Sequence, residues 1–397
     1  MMSVWSSLVG QGDAVAKLSE AAASARAIVA SRAGSAAQED ARSMSHAWLI
    51  TGPPGSGRSV AARAFAAALQ CTGEEVGCGT CPGCRTTMGR TNADVLFAAT
   101  ETSIINVETA RSLVLQAQSS PSQGLWRVIV VEDADRLGEA GANALLKAIE
   151  EPPEHTVWLL CAPSPEDMIA TIRSRCRHLG LRIPTANAVA DLLVREGVAT
   201  PEVALEAARA AQSHIGLARA LAADPEMRAR RRAIVTAPAS VRSVGEAVLA
   251  ADRLLETAKA QADAQVSERN AREKAELLRQ LGMEEDERAT KASRTLIRQL
   301  EEDQKRRSKR ALTDAIDRAL IDLLAIYRDV LMTQVGGDGE LINTDLADLV
   351  RSIADESTPR QTLSRVDHIE TARRRLKSNG NTLLVLEDMA ISLRPQA

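Results

Sequence analysis

Aromatic residues are scarce in this chain: four Trp, two Phe and one Tyr among 397 residues, 2% of the sequence. Stacking single-stranded bases takes several aromatic rings on one surface, so that mode of nucleic-acid binding is excluded. An excess of one charge is also missing. Lys and Arg total 49 against 52 Asp and Glu, a net charge of −3, and no global positive field marks a stand-alone nucleic-acid binder. No apolar run reaches the roughly 18 residues that a membrane span needs. The first residues, Met1 to Asp13, lack the basic and apolar regions of a signal peptide. The expectation is a soluble, cytoplasmic protein without a membrane partner.

What is present is aliphatic. The apolar fraction is 45%, so cores must be built from Ala, Leu, Val and Ile. At roughly 150 residues per domain the length predicts two or three domains. The first 180 residues alternate short aliphatic runs (47–51, 95–97, 128–131, 157–161) with helical patterns (60–69, 107–117, 143–150). That alternation predicts an α/β domain with a parallel sheet flanked by helices. Beyond Pro184 the strand signal stops, and 189–195, 201–212 and 216–221 read as short helices. The domain expectation is a sheet domain at 1–180, a small helical domain at 181–238 and an all-α domain at 239–397. Within the last, 259–310 is densely charged with both signs, and 267–310 reads as long exposed helix. A glycine-rich loop at 336–339 precedes a final helical pair ending at 383–393.

The run at 47–51 leads into Gly52-Pro53-Pro54-Gly55-Ser56-Gly57-Arg58-Ser59 and then an apolar-periodic helix. Strand, glycine loop and helix come in the order that a phosphate loop requires, in which backbone N–H groups converge on phosphate oxygens and Ser59 can ligate Mg²⁺; the plainer alternative is a turn whose glycines serve only packing. Arg58 stands where the motif calls for Lys, and a planar guanidinium does not replace a compact ammonium at so tight a site. The acidic partner should end a buried strand, and Val128–Val131 leads into Glu132-Asp133. A working ATPase of this type reads Asp-Glu, so the carboxylate that should polarise water is one methylene short. Two independent defects predict weak binding of ATP or ADP, with Mg²⁺ only alongside nucleotide, and poor hydrolysis. The plainer alternative is that Glu132 and Asp133 only cap the next helix. Cys71, Cys78, Cys81 and Cys84 form C-x6-C-x2-C-x2-C with Gly77, Gly79 and Gly83 between them, which predicts a closed structural Zn²⁺ site rather than disulfides. Cys161 and Cys176 are expected to be packed thiols.

Val9-Gly10-Gln11, the loop at 52–59, the cysteine knuckle, Asn143 to Pro153 and Ser174-Arg175-Cys176 occur in that order. Together they resemble the AAA+ clamp-loader subunits of bacterial DNA polymerase III, over roughly residues 5–235. The helical remainder, ending Asn379-Gly380-Asn381 and 383–393, is similar to the collar of that family. The resemblance implies an AAA+ core, a helical lid and a collar, with 259–310 a collar insertion. It also implies partners: gamma/tau and delta subunits in a hetero-pentameric ring, a sliding clamp, and primed DNA held by the assembly. Sensor 1 falls at Ala162-Pro163, which carries no polar side chain, while Arg219 occupies the usual sensor 2 position. The degraded nucleotide machinery is similar to that of the delta-prime branch, which implies no independent catalysis within the polymerase III holoenzyme. In that branch the arginine of Ser-Arg-Cys, here Arg175, is a trans arginine finger for a neighbouring ATPase; the alternative is a surface salt bridge. Arg173 and Arg177 are expected to be solvated or to face DNA. Rival expectations are an active gamma/tau-type ATPase and a free-standing P-loop phosphotransferase. The basic run 305–310 follows Glu301, Glu302 and Asp303, which favours internal ion pairs over DNA contact.

Overall fold

The computed structural model describes residues 3–32, 43–98, 104–281, 291–337, 339–378 and 380–394. The chain divides into two compact units, Met1–Arg219 and Ala220–Ala397. The first contains α1 (Gly12–Arg32), β1 (Ala47–Thr51), α2 (Arg58–Leu69), α3 (Pro82–Met88), β2 (Val95–Ala98), α4 (Val107–Ala117) and β3 (Arg127–Val131). It continues with α5 (Glu139–Glu150), β4 (Thr156–Ala162), α6 (Ala170–Arg173), β5 (Arg177–Gly180), α7 (Ala186–Arg195) and α8 (Pro201–Ala210). Helix α9 (Ile215–Ala223) carries the boundary.

The five strands form one parallel sheet in the order β2-β3-β4-β1-β5. Its two faces alternate along each strand as the pleat requires. Trp48, Ile50, Val128, Val130, Leu159 and Cys161 pack with Leu18 of α1 and Phe65 of α2. Leu49, Ile129, Val131, Trp158 and Leu160 pack on the other face with Leu113 of α4 and Leu145 and Ile149 of α5. Cover on both faces explains why β1 and β4 are buried at every position rather than alternating. Helix α2 lies close to the sheet because its buried face is almost all alanine, and its Phe65 meets Trp48 edge-on at 5.2 Å. Trp48, Trp158 and Phe65 are among the largest fully buried side chains, so the few aromatics are spent on the core.

Local chemistry sets the helix ends. Asn106 caps α4, Thr185 caps α7, Pro201 opens α8, and Pro152-Pro153 follows the end of α5. Elements α1, α3, α6 and β5 of this unit had no counterpart in the sequence reading. Helix α1 is rich in Ala and Ser and carries little contrast between its faces. Strand β5 is a polar edge strand in which only Leu179 is buried.

The second unit is helical: α10 (Pro225–Ser240), α11 (Val244–Gln280), α12 (Lys291–Gln334), α13 (Ala347–Glu356), α14 (Pro359–Lys377) and α15 (Thr382–Ser392). The expected long exposed helix at 267–310 instead contributes to two helices that pack together, with 282–290 outside the described residues. Ala262 and Val266 meet Ala311, and Gln304 donates to the Asn270 carbonyl at 2.9 Å. A seam of small apolar residues spaced four apart, Ala258, Ala262 and Val266, hides among the charges and faces the partner helix. Three helices, not a pair, follow the loop at 336–339. Of the tripeptide at 379–381, Asn379 lies outside the described residues, while Asn381 caps α15.

Candidate nucleotide cleft and cysteine knuckle

Strand β1 delivers the chain into the glycine loop, and α2 begins at Arg58 with Gly57 as its left-handed cap at φ +90°. Gly55 sits at φ +89°, and a Cβ there would lie 2.7 Å from His214 Cα, so the turn before α9 rests directly on the loop. Gln11 is buried and clamps the loop from behind. Its Nε2 donates to the Ser56 carbonyl (3.3 Å) and the Arg182 carbonyl (2.6 Å), and its Oε1 accepts from Arg182 N–H at 3.2 Å. The loop amide of Gly52 donates to the Pro163 carbonyl at 3.1 Å. Ser56 Oγ is buried with no hydrogen-bond partner. Arg58 turns back on the loop: Nη1 donates to the Gly52 carbonyl at 2.5 Å.

Glu132, just past β3, accepts from Arg90 Nη2 at 2.5 Å. Arg90 has φ +58° and its guanidinium lies 4.9 Å from the centre of the Phe97 ring. Asp133 precedes a single 3₁₀ turn, Ala134–Arg136, without a side-chain capping bond. Burial, reinforced by the Asp133 charge, raises the Asp135 carboxyl above its ordinary value. At the end of β4, burial pushes the Cys161 thiol up to about 12, and Ala162 and Pro163 follow. Cys176 is likewise pushed up to about 12 by burial, so both behave as packed thiols. Arg219 on α9 grips Glu196 with two parallel bonds, Nε to Oε2 at 3.0 Å and Nη2 to Oε1 at 2.9 Å.

Arg175 follows α6 with its side chain 39% exposed. Its Nε donates to Glu150 Oε1 at the end of α5, and Nη1 donates to the Thr171 carbonyl at 2.8 Å. An exposed arginine and a surface salt bridge therefore coexist at this position. Its neighbours are also exposed. Arg173 donates to the Pro165 carbonyl at 3.3 Å, and Arg177 donates to the Ser43 carbonyl while covering the Trp48 ring at 5.0 Å. In the basic run of α12, Arg306 pairs with Glu302 and Asp303, Arg307 with Glu273, and Arg310 with Asp314. Arg306 and Arg310 thus pair within α12, while Arg307 reaches across to α11.

The Sγ atoms of Cys71, Cys78, Cys81 and Cys84 lie within 4.8 Å of one another. Cys71 Sγ is 3.7 Å from Cys78 Sγ and 3.9 Å from Cys81 Sγ. Thiolates about 2.3 Å from a tetrahedral Zn²⁺ stand about 3.8 Å apart, so the donor set fits a metal of that kind. Amides support the sulfurs: Cys81 N–H donates to Cys78 Sγ and Cys84 N–H to Cys81 Sγ, each at 3.4 Å. Burial opposes ionisation of Cys81, but N–H donation from Cys84 and Thr72 outweighs it and lowers the thiol to about 6. Burial pushes Cys84 upward. The knuckle also holds the start of the chain. Val4 N–H and Ser3 Oγ each donate to the Gly77 carbonyl at 3.0 Å, and Arg26 of α1 donates to the carbonyls of Cys71 (3.0 Å) and Glu74 (2.9 Å). Gly77 is left-handed at φ +77°, and a Cβ there would lie 2.8 Å from Trp5 Nε1.

Two stretches match families described as DNA polymerase III, delta subunit (residues 33–185) and DNA polymerase III, delta subunit, C terminal (residues 287–394). The chain belongs to the DNA polymerase III delta-subunit family of clamp-loader proteins. Its relatives fall in two branches. It is 34% identical over 180 residues to DNA polymerase III subunit delta-prime of Escherichia coli K12, covering 44% of this chain and 54% of that protein. It is 35% identical over 162 residues to subunit gamma/tau of Mycobacterium tuberculosis H37Rv, covering 39% of this chain and 28% of that protein. The matched stretches thus span about half or less of these relatives. A solved DNA polymerase III gamma-subunit-related protein of Thermotoga maritima aligns over 87% of this chain and 93% of its own at 18% identity, with a TM-score of 0.42.

The structure joins Gly52, Gly55 and Gly57 in one loop that leads directly into Arg58 and Ser59 at the start of α2, and it brings the four cysteines into one cluster. It places Glu132 and Arg219 in ion pairs with Arg90 and Glu196 instead of leaving both open. Arg90 and Glu196 were not marked by sequence reasoning. They lie 42 and 23 positions from their partners, and no spacing rule connects them.

Proposed function

We propose that this chain acts as a delta-prime-type subunit, helping to load a sliding clamp onto primed DNA within a pentameric ring of gamma/tau and delta subunits, without hydrolysing ATP itself. One observation carries the reading: the positions that hydrolysis needs are substituted or engaged elsewhere. Arg58 replaces lysine and bonds its own loop, Glu132 is taken by Arg90, Arg219 by Glu196, and sensor 1 is Ala162-Pro163. A nucleotide bound here would rest on the loop amides without a correctly placed carboxylate to orient water.

The contribution of the chain is then made in trans. Arg175 stands at the surface, and on docking against an ATPase neighbour it would exchange Glu150 for the charge developing on the transferred phosphoryl group. Zn²⁺ in the four-cysteine site would be structural: four thiolates leave no open position for substrate or water. Arg175→Ala is the direct test, measured as DNA-stimulated ATP hydrolysis by the assembled complex. The reading requires a sharp loss with the fold intact, and an unchanged rate removes the finger. The identity to gamma/tau proteins supports a second reading, an active ATPase with Arg58 in place of lysine. ATP turnover by the purified chain alone would favour it.

A further inference from the structure

Arg63 lies in the second turn of the phosphate-loop helix α2, five residues after Arg58. It is half-buried, and its Nε is enclosed without a hydrogen-bond partner. Within electrostatic reach are Arg90, Glu132 and Arg219. The carboxylates paired with Arg90 and Arg219 are already committed. Glu132 is bonded to Arg90 at 2.5 Å, and Glu196 is held by Arg219 through both oxygens. Among the described residues, Arg63 has no ion pair to balance a guanidinium that offers five donors. Its surroundings work against it: burial, then the Arg90 charge, lower its pKa from the ordinary arginine value, with Glu132 opposing and Arg219 adding. An arginine kept only for stability would be expected to have a partner, because a desolvated charge without one is costly.

We propose that Arg63 is an anion-binding residue whose ligand is a phosphate group, received between α2, the turn carrying Arg90 and the start of α9. A tetrahedral phosphate supplies what this place lacks, namely negative charge and several acceptors for a forked donor. Arg90 and Arg219, whose charges act on Arg63, can add second contacts by loosening their present pairs. The phosphate can come from a nucleotide on the adjacent loop or from a nucleic-acid backbone, and the chemistry at Arg63 is the same for both. The inference does not depend on whether the chain hydrolyses ATP, since it concerns binding alone.

The test uses the full-length chain and Arg63→Gln, titrated separately with ATP and with a short single-stranded oligonucleotide. At least one probe should bind the wild type and lose tenfold or more in affinity in the variant, and the probe that suffers identifies the source of the phosphate. Without either probe, the variant should melt at or above the wild-type temperature, because it removes an uncompensated cation. Unchanged affinity for both probes, no binding of either to the wild type, or a lower melting temperature would overturn the proposal. A second readout needs no variant. Phenylglyoxal labelling of the wild type, followed at the Arg63 peptide, should be suppressed by the probe that binds, and undiminished labelling would contradict the assignment.

Discussion

The pair between Arg175 and Glu150 is exposed on both sides, with side-chain exposures of 39% and 41%. Exposed pairs of this kind contribute about 0–1 kcal/mol, so handing Arg175 to a neighbouring phosphate costs little. Glu150→Ala should therefore change the melting temperature by no more than a few degrees and leave the ATPase of the complex within about twofold. A large loss of activity with Glu150→Ala would mean that the pair positions the finger rather than merely parking it. Asp94 is the opposite case. It is fully buried and accepts from the N–H groups of Ser122, Gln123 and Gly124 at 2.6–2.8 Å, which pins the loop ahead of β3. Burial pushes its carboxyl up, but those donors outweigh the push and hold it below the ordinary carboxylate value. Its stabilisation is thus present above the unfolded carboxylate pKa and is lost as pH falls through the lowered folded value. Asp94→Asn should cost about 2–3 kcal/mol at neutral pH and flatten the fall in stability below about pH 4, as read by denaturant titration across pH.

At the scale of elements, the cysteine knuckle is a fastener as well as a candidate metal site. Through Gly77 and Arg26 it holds both the first turn of the chain and α1. Elemental analysis should find one zinc per chain. Stripping it should expose Trp5, seen as a red-shifted Trp fluorescence component and early proteolysis at residues 3–8. A metal-free chain that keeps that segment protected would contradict the fastening role. The cysteine cluster and the glycine loop leading into α2 were legible in the sequence because each is written within about fifteen consecutive residues, where spacing alone sets geometry. Strand β5 was not, since an edge strand with one buried residue carries no apolar pattern. The seam of α11 was masked in the same way, because alanines four apart contribute little contrast against a charged background.

Across the whole molecule, near-neutral charge and largely buried aromatics suit the proposed role, in which DNA is held by the assembly and not by this chain alone. The sheet of the first unit follows from the order of its apolar runs, and the glycine loop follows the C-terminal end of the interior strand β1, the end at which parallel sheets bind ligands. What the order of residues could not reveal was the state of the cleft. The pairs Arg90–Glu132 and Arg219–Glu196 form only once distant segments fold together, and they turn a loop that reads as weakened into a site whose charges are largely satisfied internally. The central claim is that this chain serves hydrolysis in trans and performs none of its own. It is tested most directly by ATP turnover measured for the purified chain alone and again in complex with gamma/tau and delta subunits and primed DNA. The account predicts no turnover above background for the chain alone, and DNA-stimulated turnover in the complex that falls sharply with Arg175→Ala; turnover by the chain alone at about 1 s⁻¹ or faster would contradict it.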